Sequence, residues 1–239
     1  MSENEPKQNR RKKLFGEWNL FEILLLSVSL CVTVIVFSVG KEKDLWTFLS
    51  SVTGIVCVIF TAKGNPIAQY LSIFFAVCYA VASYRSRYYG ETIIYLFLML
   101  PIHVACIVSW LKNRKTPESA EVKINSLCPR EYLLLGLADV LVTVAFYFLL
   151  KALHTDELVI STISLVSSVS AAYLMLRRSE YYAVCFIAND LILLALWGLR
   201  VYRFGIAYLP SIVTFSVFLI NDVYGFIAWR KRKKSQANA

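Results

Sequence analysis

Histidine is nearly absent: only His103 and His154 occur in 239 residues, and the six cysteines form no CxxC pair. A zinc site and a disulfide framework therefore lack support, and neither a metal nor a cofactor is expected. The cysteines read as small apolar fillers. No GxSxG, HExxH or paired-aspartate signature surrounds either histidine, which argues against an intramembrane hydrolase. There is no Gly-rich phosphate loop for ATP and no mid-span lysine of the kind a retinal-type receptor needs. Charge is scarce too, at 17% of residues against 58% hydrophobic, with a mean hydropathy of +0.58. A soluble domain of this size cannot bury that much apolar surface, so the chain must use lipid as a solvent.

What is present is a series of long apolar runs. Eight reach about 18 residues or more, the length of a membrane-spanning helix: Leu20–Val39, Leu45–Ala62, Pro66–Tyr84, Thr92–Leu111, Tyr132–Leu150, Leu158–Leu176, Tyr181–Leu199 and Ile206–Trp229. Residues 1–19 form a basic, then amphipathic, tail. A cleaved signal peptide is the alternative reading of 1–40, but the run is long and Glu22 stands near its start, so a retained helix is expected.

The net charge of +9 is explained by topology rather than by nucleic acid. With the N-terminal tail inside and the spans alternating, 18 of the 25 Lys and Arg fall on the cytoplasmic side and 7 on the outer side. This positive-inside bias predicts both termini in the cytoplasm.

The two halves of the chain repeat a pattern. The first runs FGEW, span, DLW, span, AKGN, span, RYYGE and a span ending VSWLKNRK; the second runs CPREY, span, TDEL, span, RRSE, span, YRFG and a span ending IAWRKRKK. A polar loop, 112–130, divides them. Four spans separate equivalent elements, so both units insert in the same sense, predicting parallel repeats with a substrate path between them.

Against this apolar background a few polar residues stand out. Asn189 and Asp190 lie about 18 Å of helix rise from Arg177, near mid-bilayer, where a carboxyl is costly unless it faces a polar interior. Tyr182 and Asn189 share one helical face, and Asp190 and Trp197 an adjoining one. Asn189 as interhelical packing glue is the bland alternative. Seven residues before Trp110 stands His103, and seven before Trp229 stands Asp222. The repeat sets this pair at one depth, so they could approach each other. A satisfied interior histidine and an aspartate reaching to the interface are the competing readings. Asn221, with Thr214 and Tyr224, offers another polar stripe. Pro101 and Pro210 interrupt spans and read as hinges. The repeat aligns Asn189-Asp190 with Phe74-Phe75, predicting a cavity polar on one side and aromatic on the other.

FEILLLS, TGIVCVIFTAKG, the RYYGET turn with LPIH ten residues on, and FLINDVYGFIAW together resemble the PnuC family of bacterial vitamin transporters, from about Trp18 to Arg232. The resemblance implies an all-α fold of eight transmembrane helices like that of the SWEET transporters: an extra N-terminal helix (20–39), a three-helix bundle (45–111), a linker helix (131–151) after the 112–130 loop, a second bundle (157–229) and a basic tail (230–239). It implies facilitated diffusion of nicotinamide riboside across the bacterial inner membrane, trapping by a cytoplasmic kinase, and a homotrimer. Relatives carry thiamine, riboflavin or deoxynucleosides. Asn189, Trp197, Asn221, Tyr224 and Gly225 match the family pattern. Phe75, His103 and Cys185 depart from it at cavity positions, where asparagine, glutamine and an aromatic are usual. The expected substrate-binding set is thus Phe75, Tyr79, His103, Tyr182, Asn189, Asp190, Trp197, Asn221, Asp222 and Tyr224. Asp190 and Asp222 would balance a pyridinium or thiazolium charge, and Trp197 would give a cation–π surface. A proton-coupled version through His103 and Asp222, and an intramembrane enzyme or sensor, are the alternatives.

Overall fold

A computed structural model describes residues 18–39, 44–116, 119–155 and 157–238. The described residues form eight helices long and apolar enough to cross a membrane: α1 (Leu20–Val39), α2 (Leu45–Ala62), α3 (Ile67–Arg85), α4 (Tyr89–Lys112), α5 (Pro129–Ala152), α6 (Leu158–Leu176), α7 (Tyr182–Phe204) and α8 (Leu209–Ala237). The basic N-terminal tail lies outside the described residues.

Six of these helices close into a ring. Around it α2 packs on α3, α3 on α4, α4 on α6, α6 on α7, α7 on α8, and α8 returns to α2. The two units each supply three consecutive members, and the seams between them are α4–α6 and α8–α2. One contact is made at both seams. The Trp110 indole N–H donates to the Met175 carbonyl at 3.0 Å, and the Trp229 indole N–H donates to the Thr61 carbonyl at 2.9 Å. Each tryptophan gives a second hydrogen bond to a carbonyl in the last turn of a helix, which already accepts from the amide three residues on.

The other two helices stand outside the ring. α5 leans on α6 and leaves Leu133, Leu134, Leu137, Val140, Leu141 and Phe148 exposed, as a lipid-facing helix does. Its one mid-helix acid, Asp139, turns inward to accept a hydrogen bond from Ser170. α1 lies across the α2–α8 seam. There Glu22 pairs with Lys63 at 2.7 Å, both nearly buried, and accepts from the Tyr224 hydroxyl at 2.9 Å. The Lys63 ammonium also sits 4.6 Å from the Trp18 ring.

Local sequence explains the turns. Asp44 caps α2 by accepting from the Thr47 amide and hydroxyl. Gly64 takes the left-handed conformation (φ +66°) between α2 and α3 that a side chain would resist. Pro101 cannot donate to the carbonyl four residues back, and the turn ahead of it widens into a π-helix over Ile94–Met99. Pro210, expected inside a span, instead lies in the first turn of α8, after a short 3-10 turn, Ile206–Tyr208, where proline costs little.

The face carrying Lys63, Arg178 and Arg230 is closed by its own chain. Residues 119–128 of the loop that divides the halves cross this face as a strap. The Val122 amide donates to the Gly64 carbonyl at 3.0 Å, and the Asn125 amide to the Arg178 carbonyl at 3.0 Å. Val122 is buried against Trp110, Trp229 and Tyr182. Residues 230–237, expected as a tail, continue α8 as helix, and Gln236 holds the strap by accepting from the Ile124 amide and donating to the Val122 carbonyl. Burial, with Arg177 beside it, holds the Arg178 guanidinium below its ordinary pKa, and it hydrogen-bonds Ser109 and the Lys123 carbonyl.

Candidate functional site

Inside the ring lies a cavity of about 60 Å³. α7 brings Asn189 and Asp190 to it, α8 brings Asp222, α4 brings His103, and α3 brings Phe75. Phe215, Phe218, Phe186 and Tyr95 supply most of the remaining wall, and no lysine or arginine is among the described lining residues. Phe75 and Phe218 make a T-shaped pair with ring centroids 5.6 Å apart. They fit because Gly54 faces them: a Cβ there would stand 2.3 Å from the Phe218 ring and 3.1 Å from that of Phe75. The wall is not divided as the repeat predicts: the second unit supplies Phe186, Phe215 and Phe218 together with Asn189, Asp190 and Asp222, and the first supplies Thr61, Ser72 and His103 beside Phe75 and Tyr95.

The carboxyl groups of Asp190 and Asp222 lie side by side in the cavity wall. Both are nearly buried, and one Asp190 oxygen has no partner. His103 and Asp222, which the repeat sets at one depth, both line this cavity, and the His103 Nδ1 pairs with Gln69 Oε1 at 2.9 Å. Gln69 is fully buried, and its side-chain nitrogen has no partner. A glutamine one turn into an apolar span gave no periodic signal, so sequence reasoning passed over it.

Asn189 is held from behind by a serine-rich face of α6. Its Oδ1 lies 3.2 Å from Ser164 Oγ, 2.9 Å from Ser167 Oγ and 3.2 Å from Ser168 Oγ. Ser164 Oγ also lies 3.0 Å from Glu91 Oε1 of α4, so its one hydroxyl proton is offered to either acceptor and couples Glu91 to Asn189. Glu91 is completely buried, with its second oxygen unpartnered. It stands in a turn-like RYYGET segment that reads from sequence as loop, which is why it went unnoticed; in the fold that segment opens α4.

The remaining candidates lie elsewhere. Trp197 lines a separate pocket on the opposite face from the strap, and its indole N–H donates to the Tyr79 hydroxyl at 3.1 Å. Tyr79 is buried beneath it, packed on Phe75, Tyr95 and Phe215. Tyr182 belongs to the aromatic cluster under the strap, 4.8 Å from Trp229. Asn221 is buried within α8, where its amide donates to the Val217 carbonyl. Tyr224 turns away from the ring to α1, bonding Glu22 and Asn19. A helical stripe wide enough to include Tyr224 spans both the inward and the α1-facing sides of α8, and periodicity alone does not separate them.

Comparison with known proteins accounts for this arrangement. Residues 44–231 match the model of a family described as nicotinamide mononucleotide transporter. A nicotinamide riboside transporter PnuC from Neisseria mucosa is 32% identical over 229 residues, covering 94% of this chain and 86% of that protein. Its namesake in Haemophilus influenzae is 23% identical, covering 94% and 96%. The crystal structure of the vitamin B3 transporter PnuC superposes with a TM-score of 0.84 at 28% identity, over 97% of this chain and all of that one. The chain thus belongs to the nicotinamide mononucleotide transporter family, as a multi-pass transporter of the bacterial inner membrane and not an enzyme.

Proposed function

We propose that this chain carries nicotinamide riboside into the cell by facilitated diffusion, with the strap-covered basic face cytoplasmic. The observation that carries the choice of substrate is the charge of the central cavity. Two aspartates and no described lysine or arginine line it. A pyridinium cation is matched there, whereas the phosphate of the mononucleotide named in the family description is repelled by the negative charge of the aspartate pair. The aromatic wall of Phe75, Tyr95 and Phe218 suits the flat ring, and Asn189 and Asp190 suit amide and hydroxyl groups.

The two seams support a rocking mechanism in which the α2–α4 and α6–α8 units tilt against each other. The widened turn before Pro101 serves as a flexing point; Pro210, at a helix start, serves as a pivot at the outer end. At about 60 Å³ the cavity holds a few waters rather than a nucleoside, so loading requires the rings around it to part. Phosphorylation of the product by a cytoplasmic kinase makes net uptake directional, and the exposed flank of α5 leaves room for assembly as a homotrimer.

Thiamine is the competing ligand, because its thiazolium is also an aromatic cation. Riboflavin and deoxynucleosides are neutral and leave the aspartates unmatched. Coupling to protons through a His103–Asp222 pair loses its motive, since His103 is turned to Gln69.

The test is a thermal-shift and counterflow panel on the purified, reconstituted chain, with nicotinamide riboside, its mononucleotide, thiamine, riboflavin and nucleosides. Nicotinamide riboside is expected to stabilise the protein and exchange across liposomes, and the mononucleotide to do neither. Preference for the mononucleotide would overturn the charge argument, and a larger thiamine shift would reassign the substrate.

A further inference from the structure

Trp197, expected in the central site, lines a different space. That space is a pocket of about 200 Å³ on the face opposite the strap, about three times the central volume. Its walls come from both units, with Asp44 and Thr47 at the start of α2, Arg85 and Ser86 at the end of α3, and Tyr208 and Ser211 beside the start of α8. We infer that this pocket is a second, outer binding station for the transported nucleoside. The inference rests on the nucleoside reading and the sidedness proposed above.

The chemistry of the pocket suits a flat ring joined to a sugar. Asp44 is already committed, accepting from the Thr47 amide and hydroxyl and from Arg85. Its charge is therefore neutralised locally, and the pocket lacks a counterpart of the Asp190–Asp222 pair found in the centre. Arg85 is 61% exposed and keeps further N–H donors directed to solvent. The hydroxyls of Ser86 and Ser211 have no hydrogen-bond partner among the described residues and are placed to meet sugar hydroxyls. The half-exposed Tyr208 ring offers a surface for the base, lying 6.2 Å from the Trp197 ring and tilted by 31° from it.

The floor of the pocket is also the roof of the central cavity. Trp197 is bonded to Tyr79, and the Tyr79 ring lies 5.6 Å from Phe215, which lines the cavity below. One aromatic layer therefore separates the two spaces. Trp197 belongs to α7 and Tyr79 to α3, so a rocking motion of the units breaks that layer and reshapes the pocket together. A molecule held in the outer station is delivered inward by the same step. Because charge is balanced in the outer station, it accepts neutral nucleosides as well as the cation, and rejection of neutral ligands is left to Asp190 and Asp222.

Ala207 lines the pocket from the short turn before α8, outside the helix packing, so Ala207→Trp fills the space with little cost to the fold. Ser86→Ala combined with Ser211→Ala removes the hydroxyls without changing volume, and covers the case in which Ala207→Trp does not fold. The full chain is reconstituted in proteoliposomes for initial uptake of labelled nicotinamide riboside and titrated in detergent for affinity. The expected result is at least a tenfold fall in uptake at sub-saturating substrate, with the affinity of the central site within twofold of the parent. Uptake at the parent rate by the folded variants overturns the outer station. So does a fall in uptake matched by an equal fall in affinity, because the change then acts through the central site. Failure of the parent chain itself to bind or carry nicotinamide riboside would instead refute the substrate reading.

Discussion

Asp190 of α7 and Asp222 of α8 meet carboxyl to carboxyl in the middle of an apolar ring of helices. Two carboxyls this close share one proton, and the single negative charge left on the pair favours a cation that can enter beside it. Nicotinamide riboside is such a cation, and its reduced dihydropyridine form has the same outline without the charge. The parent chain is expected to bind the oxidised form about tenfold or more tightly than the reduced form, a difference of about 1.4 kcal/mol or more. Asp190→Asn and Asp222→Asn should each erase that preference. Calorimetric titration of both forms checks it; a preference that survives both substitutions would show that the carboxylates do not read the charge.

Glu91 acts on the site through Ser164 and Asn189 rather than directly. A buried acid with one oxygen unpartnered is costly, so Glu91→Gln, which keeps an acceptor for Ser164, should raise the melting temperature and leave affinity within about threefold, under about 0.7 kcal/mol. Glu91→Leu removes the acceptor and loosens the serine face behind Asn189, with an expected tenfold loss of affinity. Equal loss in both variants would mean that the negative charge itself is used in transport.

The Glu22–Lys63 pair pins α1 across the α2–α8 seam. Breaking a buried pair from one side leaves an uncompensated charge and typically costs about 3 to 5 kcal/mol, whereas replacing both partners is far milder. Thermal unfolding in detergent should therefore rank Lys63→Met below the Glu22→Gln/Lys63→Met double variant. The reverse order would show that Glu22 stabilises α1 mainly through the Tyr224 hydroxyl and Asn19 rather than through Lys63.

Trp110 and Trp229 make the same contact at the two seams. If the halves are duplicated units, Trp110→Ala and Trp229→Ala should each cost about 3 to 5 kcal/mol, as large buried aromatics do. Comparable losses in denaturant unfolding support equivalent seams. A large effect at Trp229 alone would tie the basic-face closure to α8 and its strap instead.

Much of the fold was legible because lipid imposes a simple rule on a chain. Every spanning segment must satisfy its backbone internally and present apolar side chains, so length and hydropathy alone located eight helices. Leu20–Val39, Leu45–Ala62 and Leu158–Leu176 have the same bounds in the sequence and in the structure. Most of the helix ends that differ are those where polar residues continue a helix beyond the apolar run, as at Arg230–Ala237, which docks on the strap through Gln236; the starts of α3, α7 and α8 instead fall one to three residues inside it.

Periodicity likewise marked Asn189 and Asp190 as inward-facing, since a polar pair in mid-span has few other stable positions. It could not say which helices close the ring or how far a polar stripe wraps. His103 turns to Gln69, Tyr224 to α1, and Trp197 to the outer pocket because of neighbours more than thirty residues away in sequence. The chain by itself thus determined the number of spans, the membrane as solvent and the place of the central polar pair, all set by local hydropathy. The tertiary structure alone decided that Asp190 meets Asp222, that Glu91 stands behind Asn189, and that Trp197 separates two chambers. Those relations depend on which helix faces are brought together, a choice made by packing between distant segments.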